Sequence, residues 1–500
     1  MTTAKAEAAQ ILIARESTLG TAPTASWQQL QPNPGGITGW QPEYVDVMRD
    51  PLSKLATMEK GEHVGLNANV TLVHDFNKDL FDNFGEGLTR SLAKVPGNKG
   101  VAIYRPTAVT ATGYTVPASG DLTASLLVYA RGFVTAANNG LKVVTGVSTA
   151  TEIKTPGLTA ETVSPAGSAT VEVCGVQGTA GDITLNASGH LTSTTLNFTT
   201  LNLVAGVSRI KIGGSTAATQ FATAAYNGWA TVDTIAANLI TLKWRTWTPA
   251  AADLGTGKTI QIAFGRCYRN VSLDHADYLE PSWHGEKEDL GVGTANAAVY
   301  TYAEGLSLNT ASLSVPVEGK IEATLGFVGT NIESPVLAAS RVTGPSTAWI
   351  PLATELVDTA NDIKSMRIVV AADDTSLVAE VNSLTLTVNH GITPRKQLGA
   401  FGAVSMIFGK NVPGASLEAY YERSTVPDAI RANTTCRLEL ITRNDAGAII
   451  CDLPAIVLRG GAMTYAANSP VMLSLELPAH RDPLTNIVQI WNVLPYAYTA

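Results

Sequence analysis

The sequence predicts an all-β fold carrying one or two short helices, and three observations lead there. Residues 67–73, 306–315 and 383–388 alternate apolar and polar side chains, with β-branched residues inside and Ser or Thr outside. That is the pattern of strands with one solvated face. The 44 glycines and 24 prolines fall as short turn signals between such runs. Finally, 45% of the 500 residues are hydrophobic and only 15% are charged, so the chain is too apolar for disorder and long enough for a large core.

Taken in order, the first alternating run at 67–73 leads into a helical pattern over 77–90. Leu80, Phe81, Phe84 and Leu88 fall on one side of it, Asp75 or Asn77 can cap its start, and Gly85 and Gly87 weaken its second half. From Asp121 to Gly265 the composition shifts. This stretch is rich in Ala, Thr, Gly and Ser, and holds only eight basic and seven acidic residues. The remainder then carries a net charge of −9. A weakly charged block between more charged flanks reads as a β-rich insertion. Inside it a faint repeat recurs: a strand from Leu127, Ala137-Asn-Asn-Gly140 and Val143 against a strand from Leu203, Ala225-Tyr-Asn-Gly228 and Val232. Two small β modules with Asn-Gly turns follow from it. The chain thus divides into 1–120, an inserted 121–265 and 266–500. After the insertion come the alternating runs at 306–315 and 383–388, and one helical turn at 427–431.

Chemistry finds little support. Gly255-Thr-Gly-Lys-Thr259 resembles a phosphate-binding loop, but Ala252 stands where the first glycine belongs and 260–264 reads as a strand, so a hairpin turn is expected. None of the seven histidines pairs at a metal-binding spacing, and no nucleophile motif is present, so no catalytic residue, metal or cofactor is assigned. Cys174, Cys267, Cys436 and Cys451 are scattered without a CxxC spacing and read as isolated buried thiols. The formal charge of −8 gives no grip for nucleic-acid phosphates. No run is long enough to span a membrane, and the first twenty residues do not read as an export signal.

The flanks resemble a known family. Arg15-Glu-Ser-Thr-Leu-Gly-Thr-Ala-Pro23, followed by Trp27-Gln-Gln-Leu30, is similar to the opening of the major tail tube proteins of long-tailed bacteriophages. Val47-Met-Arg-Asp-Pro-Leu-Ser53 and Glu59-Lys-Gly-Glu-His63 resemble that family's exposed arm, and 302–329 its central hairpin. Ser383–Val388, Met406–Gly414 and Asp452-Leu-Pro-Ala-Ile-Val457 continue the likeness, whereas 417–422 does not align. The resemblance implies a β-sandwich or barrel core whose copies form hexameric rings, stacked into a hollow tube that surrounds a tape-measure protein and later conducts DNA into the host. It also implies terminator and tip partners, no specific DNA binding, no membrane insertion and no enzyme activity. The location would be the virion tail, assembled in the bacterial cytoplasm, with the middle block as an outer decoration. On the proposed inner hairpin, Glu304, Glu318 and Glu322 are the lumen-facing candidates, because an acidic lumen repels phosphates. The competing expectation is a β-rich adhesin or saccharide-binding protein, for which the Thr/Asn/Gly-rich middle block speaks.

Overall fold

A computed structural model describes residues 9–49, 59–97, 99–146, 148–165, 167–290, 297–345, 348–350, 356–371, 376–378, 380–421, 425–465 and 470–497. Strands hold 48% of the chain and helices 7%, which meets the all-β expectation.

The largest sheet is organised around the 17-residue strand Val299–Val315. Its first half pairs with Trp283–Asp289, which pairs in turn with Ala9–Arg15. Its second half pairs on one side with Glu322–Gly329 and on the other with Val381–Asn389. The sheet continues through Glu59–Asp75 in one direction and through Val412–Tyr420, Met472–Pro478 and Arg459–Thr464 in the other. A register shift between Leu308 and Thr310 changes which side chains face inward, and Gly305, at φ +61°, takes a backbone conformation that suits glycine.

A second sheet runs Arg266–Arg269, Ile490–Leu494, Gly447–Val457, Thr435–Asn444, Ile363–Val370 and Ser376–Val378. Pro454 lies inside the strand Gly447–Val457, where the pairing slips between Cys436 and Leu438. That irregularity tolerates the missing N–H.

Between the two sheets lies the expected helix, Lys78–Thr89. Asn77 caps it by accepting from the Leu80 N–H, and Arg90 closes it in the left-handed conformation. Phe81 meets Trp491 of the second sheet at 5.2 Å, and Phe84 meets Phe327 of the first at 5.2 Å. The glycines serve a purpose that helix propensity hides. A Cβ on Gly85 would stand 2.6 Å from the Tyr268 ring, and one on Gly87 would stand 2.5 Å from the Trp283 ring. The second expected helix is Thr425–Arg431.

Strands between Ala108 and Ala263 pair with one another in a nine-stranded and a four-stranded sheet. Their core takes in Tyr104, Val109, Tyr114 and Val116, upstream of Asp121. The segment from Leu203, expected to form a strand like that from Leu127, becomes one only at Arg209, and strands of both copies of the repeat share the nine-stranded sheet. Phe133-Val-Thr-Ala-Ala-Asn-Asn-Gly140 and Phe221-Ala-Thr-Ala-Ala-Tyr-Asn-Gly228 share six of eight residues. In each, the Asn side chain clasps the Phe backbone: Phe133 N–H donates to Asn139 Oδ1 at 3.0 Å and Phe221 N–H to Asn227 Oδ1 at 2.9 Å. Both Asn Nδ2 groups donate back to the same Phe carbonyl. A later carboxylate accepts from Thr135 N–H in one copy (Glu161) and from Thr223 N–H in the other (Asp253). The Asn-Gly pairs, expected as tight turns between strands, follow 3-10 turns at Ala136–Asn138 and Ala224–Tyr226.

Candidate functional site

Where Glu322–Gly329, Val381–Asn389, Val412–Tyr420 and Met472–Pro478 lie, the large sheet buries one face and solvates the other, because side chains alternate; around Trp283–Asp289 and the first half of Val299–Val315 both faces are buried. In Glu322–Gly329 the buried residues are Ala323, Leu325 and Phe327; in Val381–Asn389 they are Leu384, Leu386 and Val388. The opposite positions line up across the sheet in register. One row runs Val73, Thr324, Ser312, Thr387 and Gly414. The next runs Asp75, Glu322, Ser314, Thr385, Ser416, Glu476 and Arg459. Beyond it Ser383 faces Glu418, which faces Ser474. The outcome is a broad polar face of small hydroxyl side chains carrying scattered carboxylates, with Lys320 Nζ beside Asp75 at 2.7 Å and Glu322 at 3.1 Å.

The three lumen candidates do not come together. Glu322 lies on this face and accepts from Asn33 Nδ2 at 2.8 Å. Glu318 is exposed in the turn between Val299–Val315 and Glu322–Gly329. Glu304 lies ahead of Gly305, ten residues before Ser314, the partner of Glu322, which is about 30 Å along a strand. It is half-buried, accepts from Asn331 Nδ2 at 3.2 Å, and is pushed up to about 6 by burial and by the neighbouring Glu333 carboxylate. The reading from sequence passed over Glu418 and Glu476. Their signal lies in the alternation with apolar residues of Ser416 and Glu418 in one strand and of Ser474 and Glu476 in the other.

The opening motif acquires a physical role. The buried Glu16 carboxylate accepts from the N–H groups of Gly20 and Gly305 at 3.0 Å each, from Ser282 Oγ at 2.7 Å, and lies 3.2 Å from His284 Nδ1. Burial opposes its charge, but these donors hold it below its ordinary value. Arg15 pairs with Glu86 of the helix. Glu16 therefore ties the N-terminal strand to the bend of the central strand.

The resembled arm is a hairpin of Glu43–Arg49 with Glu59–Asp75, on which Val47, Met48 and Val64 are more than half exposed. Residues 50–53, assigned to the same arm, lie outside the described residues. The glycine-rich 255–259 segment is a turn: Gly255 and Gly257 have positive φ, Lys258 Nζ donates to the Ala217 carbonyl, and the strand Gln261–Ala263 follows. Among the described residues no cluster of His, Cys, Asp or Glu could hold a metal ion, and all four cysteines are free and buried. No helix of the described residues is long and apolar enough to cross a membrane.

A family model for the phage tail tube protein matches residues 221–479, just over half of the chain. The match begins at Phe221, the first residue of the second repeated segment, and ends just beyond the strand Met472–Pro478. No curated protein matches the chain.

Proposed function

The chain belongs to the phage tail tube protein family, a structural part of the virion tail, and from that premise we propose that six copies close into a ring and that rings stack into a hollow tube. The observation that carries this reading is the large sheet itself. It has one solvated face, and strands paired on a single side at its margins, Arg459–Thr464 at one and Pro32–Thr38 with Glu43–Arg49 at the other. Unpaired margins invite further strands, and closing such sheets edge to edge into a barrel removes them. The solvated face would then line the lumen. On this face the carboxylates of Asp75, Glu322, Glu418 and Glu476 outnumber the cations Lys320 and Arg459, and Lys320 is held by two of them. A ring of six would carry about −54 outside the middle block, which repels passing phosphates.

In this reading Glu322, Glu418 and Glu476 face the lumen, Glu318 lies at its rim, and Glu304 is tested by itself. The tape-measure protein, the terminator and tip proteins and the passing DNA are the partners. The middle block, 121–265 extended back to Tyr104 by its shared core, is an outer decoration.

Negative-stain electron microscopy with solution mass tests the assembly. Rings or hollow tubes of uniform diameter are expected. A monomer at every concentration would favour the saccharide-binding alternative. Reversing Glu322, Glu418 and Glu476 to Lys should slow DNA ejection while leaving tubes intact; unchanged ejection kinetics would remove this face from the lumen.

A further inference from the structure

The helix Lys78–Thr89 separates two ends of unlike charge. Its 12 residues span about 18 Å. At its N-terminal end, Phe76 N–H donates to the Ile321 carbonyl, which fixes the turn that carries Glu318. Thr359 N–H donates to the Gly319 carbonyl and Arg443 N–H to the Asp362 carbonyl, so the loop holding Asp358 and Asp362 joins that turn to the hairpin turn bearing Asp445. Glu318 and Asp445 are exposed. Burial, with Asp358 and Asp445 close by, holds Asp362 above its ordinary value; Lys364 lies near it, and Lys320, which follows Gly319, is held by Asp75 and Glu322.

At the C-terminal end of the helix a recess of about 890 Å³ opens between Arg90, the 269–278 segment, the 409–411 turn and the 481–488 loop. Four cations line it: Arg90, Arg269, Lys410 and Arg481; Asp274 is the one acid of its lining. Arg269 is 6% exposed. It gives Nη2 to Asp277 at 2.9 Å, while its Nη1 has no partner among the described residues. Arg90, also 6% exposed, spends both terminal nitrogens on the Gly409 carbonyl and the Tyr278 hydroxyl and leaves Nε unpartnered. Asn411 Nδ2 is likewise buried without an acceptor. Lys410 and Arg481 are exposed at the rim. Lys410 and Arg481 are therefore the exposed cations that an incoming acidic group would meet, while Arg90 and Arg269 are already set against Glu280 at 3.6 Å and Asp277 at 2.9 Å.

We infer that this recess receives the acidic turns at the opposite end of a second copy, so that unlike charges set the polarity with which rings stack. The inference rests on the ring-and-tube reading above. A contact between different surfaces of identical copies repeats without closing and builds a filament. Complementary charge at such a contact favours one orientation and penalises its reverse, where like ends would meet. The same chemistry gives a second copy precedence over DNA as the occupant, since the chain carries its acids at the far end of the same axis.

The test uses the full chain and charge reversal at exposed positions. Lys410→Glu with Arg481→Glu reverses the recess; Glu318→Lys with Asp445→Lys reverses the turns. Each pair alone should abolish tubes while single rings persist in solution mass, because lateral ring contacts are untouched. All four changes in one chain should restore tubes, and circular dichroism melts should coincide for all variants. Tubes that survive either reversal unchanged, or a fourfold variant that stays as single rings, would overturn the pairing and leave the recess to an acidic partner other than a second copy. A wild-type chain forming neither rings nor tubes would overturn the assembly reading and this inference with it.

Discussion

Glu16 is a carboxylate whose value lies in its neighbours. Four donors surround it, from Gly20, Gly305, Ser282 and His284. Replacing it with Gln turns one acceptor into an N–H that faces donors. Glu16→Gln should therefore lower the unfolding free energy by about 2 kcal/mol, read from urea melts at neutral pH. The pH sign follows from its lowered titration. Its contribution is present above the ordinary carboxylate value and is lost as pH falls through the lower folded value. Glu304 has the opposite sign. Burial and Glu333 raise it to about 6, so its stabilising form is the protonated one, complete below about pH 4.5 and lost as pH rises through 6. Glu304→Gln should remove that loss, and the variant should melt higher than wild type at pH 8 but not at pH 4. Equal shifts at both pH values would show that Glu304 is not held in the protonated form.

At the scale of elements, the helix Lys78–Thr89 shows what a local pattern can and cannot tell. Its apolar stripe and its Asn77 cap are both legible in 77–90, since each is set by residues three or four apart. Its glycines are not. Helix propensity alone says that Gly87→Ala gains about 1 kcal/mol. Yet the added methyl would meet the buried Trp283 ring at 2.5 Å, and overpacking of that kind costs about 1–3 kcal/mol. Gly87→Ala should therefore destabilise the protein, whereas the control Asn83→Ala, at a half-buried position where only a hydrogen bond to the Asp79 carbonyl is lost, should change little; a stabilised Gly87→Ala protein would mean that the ring can shift. The central strand teaches the same lesson. Alternation counted through 299–315 carries Glu304 onto the solvated face, but the register shift at 308–310 breaks the phase. The repeat was legible through its Ala-x-Asn-Gly cores. Their role as a clasp on Phe133 and Phe221 was not, because the partners lie six positions apart across a loop.

On the scale of the molecule, charges buried between the middle block and the flanks decide how the two are joined. Arg209 comes from the block and is fully buried against Glu439 and Asp452, which lie on neighbouring strands of the second sheet. Arg437 approaches the same two carboxylates at 3.3 and 3.5 Å and stacks on Trp244 of the block. A second cluster sets Glu172 of the block against Lys78 at 2.9 Å and Arg266 at 3.4 Å, with Asp82 sharing both cations. Leu127, Cys174 and Trp229 add an apolar contact with Ile441, Ile450 and Leu494. No spacing in the sequence announces these pairs, since Arg209 and Asp452 are 243 residues apart. These contacts anchor the block, so cutting it out would strand Glu439 and Asp452 without Arg209 and bare the Ile441 face. Arg209→Ala should cost about 1–3 kcal/mol, because it removes charged hydrogen bonds from buried carboxylates that keep only Arg437 and Arg367. Arg431→Ala, at an exposed surface pair, should cost well under about 1 kcal/mol. Acid should act on the second cluster. Although burial opposes its charge, Arg266 and Lys78 hold Asp82 down to about 2, so its contribution is complete above its ordinary value and is lost between about pH 4 and pH 2. Hydrogen exchange across that range should show the 170–177 strand and the helix Lys78–Thr89 losing protection together. Loss of protection in the helix alone would mean that Glu172 does not couple the block to the core.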